Sequence, residues 1–370
     1  MHTQWESLAN EHILGIAPYE PGKPVEELER ELGIHDAIKL ASNENPLGPS
    51  ERVQKAIVAA LGTLNRYPDG SGYYLRQALA RKHGVAAEQI LLGNGSNDLI
   101  ELLVRTFLRS GDEAVVPHPS FVVYPTIVQA AGGVRVMVML RDHRLDLEAM
   151  ARAITPLTKV VFIANPNNPT ATIVTREEVE AFMARVPERT IVVFDEAYIE
   201  FAQGPDFPDG LEQVKQGRRA VVLRTFSKAA SLAGLRVGYA IADADAIALM
   251  NRIRQPFNVN TLAQVAALAA LEDDGHVQEC VRMIEEGRRA LYEAFDALGL
   301  AYVPSRANFI LVDVGRSASD IYQRLLKEGV IVRPLTPFGM ESALRVTIGT
   351  PEENRRLVKA LRTVLGKPTS

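Results

Sequence analysis

The segment Thr225-Phe226-Ser227-Lys228, followed by Gly234-Leu235-Arg236 and Gly238, carries the strongest chemical signal in the chain. Two hydroxyls precede a lysine and a guanidinium follows it, within one short stretch that comes directly after an apolar strand-like run, RAVVLR. Hydroxyl and guanidinium groups hold phosphate oxygens, and small residues let a ligand approach the backbone closely. Gly93-Asn94-Gly95-Ser96-Asn97 adds a glycine turn opening onto the helical run DLIELLVRTF, where backbone N–H groups and the helix dipole favour an anion. Any one lysine reads most simply as a solvated surface charge. This combination reads as a phosphate cradle beside an amine.

An amine beside a phosphate site is what pyridoxal phosphate requires, because the lysine forms a Schiff base with its aldehyde. Asp195 ends the apolar run TIVVFD and is placed to pair with the pyridine nitrogen. A carboxylate there also suits the Mg²⁺ ligand of a P-loop enzyme, but no G-x-x-x-x-G-K-[ST] occurs in the chain. In Asn165-Pro-Asn-Asn168-Pro169 two prolines fix a loop from which the Asn168 amide can donate to the cofactor's phenolic oxygen; taken alone these are turn residues. Tyr198 can donate to that same oxygen and favour its anionic form, or it can be a packed aromatic. Phe121, in HPSFVVYP, suits stacking on a pyridine ring or a place in the core.

These residues need a scaffold, and the scaffold is legible. Between about Asp112 and Ile241 the runs EAVVP, VRVMVM, KVVFIA, TIVVFD, RAVVLR and VGYAI alternate with helical stretches, which predicts an α/β fold with a doubly wound, mostly parallel sheet. Ligands of such sheets bind at the carboxyl ends of the strands, where Lys228, Asp195 and Asn168 fall. Thr175 and Glu178 form a predicted capping box ahead of Val179, Phe182 and Met183. Beyond Pro256 the pattern changes to long helices, over 261–271 and 276–298, then short strands FILVD, VIVR and LRVTI and a last helix capped by Thr350 with Glu353. The division expected is an N-terminal arm and entry to the small domain over 1–39, a large cofactor-binding domain over 40–256, and a small α+β domain over 257–370. The Pro-, Gly- and Glu-rich segment before Leu40 shows little periodicity and is expected to be an extended arm lying on another surface.

Composition narrows the function classes. At 370 residues the chain has room for about two to three domains. A net charge of −4 and a pI near 6.0 lack the basic balance of a nucleic-acid binder. The lone Cys280 cannot form an intrachain disulfide, and in its amphipathic run it reads as a small buried hydrophobe. The opening residues MHTQWESLAN lack a signal-peptide pattern, and the longest mild apolar stretch is far shorter than the roughly 20 residues a membrane span needs. A cytoplasmic enzyme is expected. The histidines show no H-E-x-x-H spacing, so no metal is expected.

The ordered motifs SNENP, RYPDGS, NPNNPT, DEAYIEF, TFSKAASLAGLRVGY, SRANFIL and LRVTIGT resemble the fold-type-I, class II pyridoxal-phosphate-dependent aminotransferases, and within them the histidinol-phosphate aminotransferases. The likeness runs from APYEPGKP to GTPEEN, nearly end to end. It implies that Lys228 is the Schiff-base lysine and proton shuttle, that Asp195 partners the ring nitrogen, and that Asn168 and Tyr198 serve the phenolic oxygen. Gly95, Ser96, Asn97, Thr225, Ser227 and Arg236 become the phosphate cradle and Phe121 the stacking ring. Tyr67 resembles the tyrosine lent to a neighbouring subunit's phosphate, which implies a homodimer with shared sites. Arg345 resembles the arginine that grips the substrate's anion, and Arg333, Tyr19 and Asn168 the remaining substrate contacts. The implied reaction is ping-pong amino transfer between L-histidinol phosphate and 2-oxoglutarate in histidine biosynthesis. An aromatic amino-acid aminotransferase and a threonine-phosphate decarboxylase share the lysine chemistry and stay open, and a cofactor-sensing regulatory module would keep the fold. Two departures stand out. Asn97 occupies a position where many relatives carry an acidic residue, and Ala171 follows NPNNPT where glycine is usual, which suggests that this backbone position avoids positive φ.

Overall fold

The structure, a computed structural model, describes residues 4–19 and 21–367. Its centre is a seven-stranded sheet in the order Ile90–Gly93, Gly238–Ile241, Ala220–Thr225, Ile191–Asp195, Thr158–Ala164, Glu113–His118 and Val134–Met139. The Gly238–Ile241 strand runs antiparallel to both of its neighbours, and the remaining pairings are parallel. The expected doubly wound, mostly parallel architecture is present. Unbroken β-branched runs such as Val160 to Ile163 are fully buried, as strands covered by helices on both faces must be. One apolar layer contains Val161, Ile163, Val192 and Phe194, and the opposite layer Val160, Phe162, Val193 and Leu223.

Parallel pairing brings the chemistry to one edge. Ala164 lies opposite Asp195, Asp195 opposite Leu223, and Thr225 opposite Gly238, so the loops carrying Asn168, Asp195 and Lys228 leave the sheet side by side. Local signals behave as expected around them: Thr175 and Glu178 make a reciprocal capping box on helix Arg176–Met183, and Thr350 with Glu353 another on helix Pro351–Leu365.

A second unit has the strands Arg333–Pro334, Ala343–Thr347, Phe309–Asp313 and Ala301–Tyr302 in antiparallel order, with helices Asp274–Ala297, Ala318–Lys327 and Pro351–Leu365. Its core is built from Ile284, Leu291, Phe295, Phe309, Ile310, Leu357 and Leu361.

Several expectations need correction. Part of the N-terminal segment is not extended: Val25–Leu32 is a helix with Glu26 and Glu27 in its first turn and Gly33 closing it at φ 65°. Leu28 on that helix packs with Ala41, Leu326 and Ile331, while Ile38–Lys39 pairs in parallel with Val330–Ile331, so this stretch is tied to the C-terminal unit. The run VIVR divides at Val332 between two different sheets. Strand Ile90–Gly93 was not anticipated, because four residues next to a glycine turn carry too little pattern to register. Helix Thr261–Leu271 buries Ala263, Ala266 and Ala267 in the large core, so in packing terms the C-terminal unit begins one helix later than 257.

Candidate active site

The carboxyl edge of the sheet and the C-terminal unit enclose a cavity of about 410 Å³. Of the anticipated site residues, Tyr19, Ser96, Asn97, Phe121, Asn168, Asp195, Tyr198, Thr225, Ser227, Lys228, Arg236, Arg333 and Arg345 line it. Lys228 follows the Ala220–Thr225 strand; its Nζ donates to Ser42 O at 3.2 Å and stands 5.6 Å from the centre of the Tyr198 ring. Burial and then the Arg345 guanidinium push this amine down to about 8, against the opposing pull of Glu44. A lysine so placed is neutral in roughly one molecule in ten at pH 7, far more often than a free amine, and the neutral form is the one that attacks a carbonyl.

Asp195 is buried, and burial raises its pKa. The Tyr124 hydroxyl donates to its Oδ2 at 2.6 Å and the Ala197 N–H to its Oδ1 at 3.2 Å, and both act to hold the carboxylate charged. Tyr124 is fully buried and stacked on Phe162 at 4.6 Å, while Phe121 meets it edge-on. Tyr124 was missed in the sequence, although it sits one helical turn after Phe121 in the same motif; a tyrosine in an apolar run signals packing before it signals a hydrogen bond.

Arg345, on strand Ala343–Thr347, donates from Nη1 to Asn168 Oδ1 at 2.7 Å and from Nη2 to Ala41 O at 2.6 Å. Its Nε is buried without a partner. With its carbonyl oxygen engaged by Arg345, Asn168 retains its amide N–H₂ for a ligand. Arg333 lies with its guanidinium 5.7 Å from the Tyr19 ring centre. The cavity therefore brings two guanidinium groups from the C-terminal unit together with an amine from the sheet edge.

The residues expected to cradle a phosphate meet by close backbone approach. Gly95 has φ 83° and ψ 170° and caps helix Ser96–Phe107, whose first residue is Ser96. The Asp98 carboxylate instead accepts the Asn94 N–H at 2.8 Å. A Cβ on Gly95 would stand 2.6 Å from Arg236 Nη2, and one on Gly238 would meet Arg224 O at 2.8 Å and Ser96 N at 3.0 Å. These contacts bring the helix N-terminus, Arg236 and the Thr225–Ser227 hydroxyl pair, whose Oγ atoms are 2.9 Å apart, to one end of the cavity. Pyridoxal phosphate fits this donor set: anion donors, an amine, a buried carboxylate and an aromatic ring all line one cavity.

Two anticipated residues do not line the cavity: Gly95, whose turn precedes Ser96, and Tyr67. Tyr67 is 83% exposed and stacks on Phe257 at 4.7 Å. Ala171 overturns the expectation attached to it, since its φ is 59°. The conformation is held by its N–H donating to Asn167 O at 2.7 Å, by its carbonyl accepting from Arg306 N–H at 2.8 Å, and by burial of its methyl in the C-terminal core. Asn97 stands in the first turn of helix Ser96–Phe107 at the cavity wall.

Residues 35–361 match the family of class I and II aminotransferases. The chain is 49% identical over 356 residues to a histidinol-phosphate aminotransferase of Moorella thermoacetica, spanning 96% of this chain and 92% of that protein. It is 50% identical over 361 residues to histidinol-phosphate aminotransferase 2 of Pseudomonas aeruginosa, spanning 97% and 98%. The crystal structure of histidinol-phosphate aminotransferase from Sinorhizobium meliloti in complex with pyridoxal 5′-phosphate superposes with a TM-score of 0.89 at 32% identity, covering 97% of this chain and 98% of that one. With the family matched over residues 35–361 and the fold shared over nearly the whole chain, this chain belongs to the pyridoxal-phosphate-dependent class I and II aminotransferases.

Proposed function

We propose that this aminotransferase exchanges an amino group between L-histidinol phosphate and 2-oxoglutarate in histidine biosynthesis, using Lys228 as its central base. The observation that carries the reading is the cavity itself, where the Lys228 amine faces a wall bearing Arg333 and Arg345. Guanidinium groups there suit a phosphate ester in one half-reaction and a dicarboxylate in the other. The near-50% identity to histidinol-phosphate aminotransferases over almost the full chain supports the phosphate ester.

When bound, pyridoxal phosphate supplies a conjugated electron sink. Thr225, Ser227, Arg236 and the Gly95–Asn97 turn would hold its phosphate, Phe121 would stack on its ring, and Asp195, whose charged form the Tyr124 hydroxyl favours against burial, would pair with the ring nitrogen. Asn168 and Tyr198 serve its phenolic oxygen. Lys228 Nζ would take the proton from the substrate Cα and give it up again to the cofactor's C4′ carbon; general acid–base transfer of this kind is worth roughly 10² to 10⁴-fold. Arg345 and Arg333 fix the far anionic group so that the Cα–H bond stays beside Nζ. Tyr67, exposed on its own chain, is assigned to the cavity of a second copy, making the active form a homodimer. Among the described residues no helix is long and apolar enough to cross a membrane, in keeping with a cytoplasmic location.

The test is a single-turnover spectrum of the cofactor-loaded protein mixed separately with histidinol phosphate, phenylalanine and glutamate. Fast loss of the lysine-linked absorbance with histidinol phosphate and slow loss with phenylalanine is the expected order; the reverse moves the enzyme to aromatic amino acids. Lys228→Ala is expected to fold and to abolish turnover, and near-normal turnover in that variant refutes the assignment.

A further inference from the structure

Asn43 belongs to the SNENP motif, yet neither the lysine chemistry nor the phosphate cradle uses it. It is 1% exposed, lines the cavity, and adopts a left-handed φ of 56°, a conformation asparagine tolerates better than most residues. Every polar group of Asn43 is engaged. Its Nδ2 donates to the Tyr198 hydroxyl oxygen at 2.9 Å. Its backbone N–H donates to Thr347 Oγ1 at 2.9 Å, its Oδ1 accepts from the same hydroxyl at 3.3 Å, and its carbonyl accepts from Asn308 Nδ2 at 3.0 Å. Thr347 and Arg345 lie two residues apart on one strand, so both project from the same face of it.

A phenol oxygen that accepts from an amide must place its own proton elsewhere. We propose that Asn43 is a positioning residue: by donating to the Tyr198 oxygen it turns the Tyr198 O–H into the cavity toward the cofactor's phenolic oxygen, and through Thr347 it ties that aim to the strand that carries Arg345. The inference rests on the reading of the cavity as a pyridoxal phosphate site. It gives this chain a mechanical link between the arginine that would grip substrate and the hydroxyl that would tune the cofactor. The donation from Asn43 also acts against the rise that burial imposes on the Tyr198 pKa, making the phenol a stronger donor. The charged and titratable groups facing Tyr198 are Arg345, Asp195, Tyr19 and Lys228, with Glu44 and Arg236 acting on Lys228 in turn.

The readout is the pH midpoint of the visible absorbance of the cofactor-loaded protein. A donor to the phenolic oxygen lowers that midpoint, so losing or diverting it raises the midpoint. Asn43→Asp replaces the amide donor with an acceptor that draws the Tyr198 proton to itself, and is expected to raise the midpoint by about one pH unit, the scale of one charge-assisted hydrogen bond. Asn43→Gly keeps the left-handed backbone without strain and is expected to raise it by less. Thr347→Val is expected to move it in the same direction and Thr347→Ser to leave it at the wild-type value. Tyr198→Phe is the reference. If Tyr198→Phe moves the midpoint while both Asn43 variants leave it in place, the role of Asn43 is overturned and the proposed function stands. If Tyr198→Phe leaves it in place, the Tyr198 assignment falls and this proposal with it. If no Lys228-dependent absorbance forms in the wild-type protein, the proposed function itself fails.

Discussion

Replacing Lys228 with methionine is expected to stabilise the cofactor-free protein at neutral pH, because the site that makes the amine reactive also disfavours its charge. Burial and the Arg345 guanidinium bring Lys228 from 10.5 down to about 8. At about 1.4 kcal/mol per pH unit this is roughly 3 kcal/mol against the charged form in the folded chain. The sign follows from proton counts. Below about pH 8 both states carry the proton and the folded state bears the full cost; between about 8 and 10.5 the unfolded chain keeps a proton that the folded chain has released, so stability rises with pH; above 10.5 the cost is gone. Methionine keeps an unbranched stem of similar length, and what it forfeits is one hydrogen bond to Ser42 O, worth about 0.5–1.5 kcal/mol. Setting that loss against the roughly 3 kcal/mol cost of the charge leaves a net gain for Lys228→Met of about 2 kcal/mol at pH 7. Urea unfolding of both cofactor-free proteins at pH 7, 9 and 10.5 measures it, and groups common to both cancel in the difference. Equal stabilities at pH 7, or an advantage that does not shrink toward pH 10.5, would refute the account of how the amine is activated.

Arg224, on strand Ala220–Thr225, donates to the buried Glu196 Oε2 from Nε at 2.9 Å and to the more exposed Asp209 Oδ1 from Nη2 at 2.7 Å. Arg224→Met strands Glu196 and is expected to cost roughly 3–5 kcal/mol, with Glu196→Gln in the same chain restoring most of it; a loss below about 1 kcal/mol counts against the pair. Burial raises Glu196 to about 7 even with Arg224 present, so the folded chain holds this proton to higher pH than the unfolded one and the Arg224→Met loss is expected to be larger at pH 8 than at pH 5. At Ala171, glycine is expected to be within about 1 kcal/mol of wild type, since relief of a left-handed alanine, about 1–2 kcal/mol, is offset by chain entropy and a lost buried methyl. Ala171→Val is expected to lose more than about 2 kcal/mol in the same unfolding assay, and a valine variant as stable as the glycine one would show that the φ of 59° is not enforced.

Legibility in the sequence followed the range of the interaction. The Lys228 motif, Asp195 at a strand end and the capping boxes of Thr175 and Thr350 were readable because each is set within a few residues, by strand period, by turn chemistry or by the reach of one side chain. Helix Thr261–Leu271 was found to the residue, but the core it joins was misjudged, since an alanine-rich helix with little facial contrast does not say which neighbour it packs against. The left-handed backbone at Ala171 was invisible for a related reason: residue type predicts against it, and only the Arg306 and Asn167 hydrogen bonds and the surrounding core hold it there.

The sequence by itself determined the chemical groups, the alternation of strands and helices, and hence the sheet edge at which those groups emerge. Only the tertiary structure decided which groups touch. Tyr198 and Asn43 are 155 positions apart, Arg345 and Asn168 are 177 apart, and Tyr124 reaches Asp195 across 71. Such pairs exist because packing the helices on the sheet, and the C-terminal unit at its edge, outweighs the entropy of closing long loops, a balance struck over whole cores that no local run of residues records.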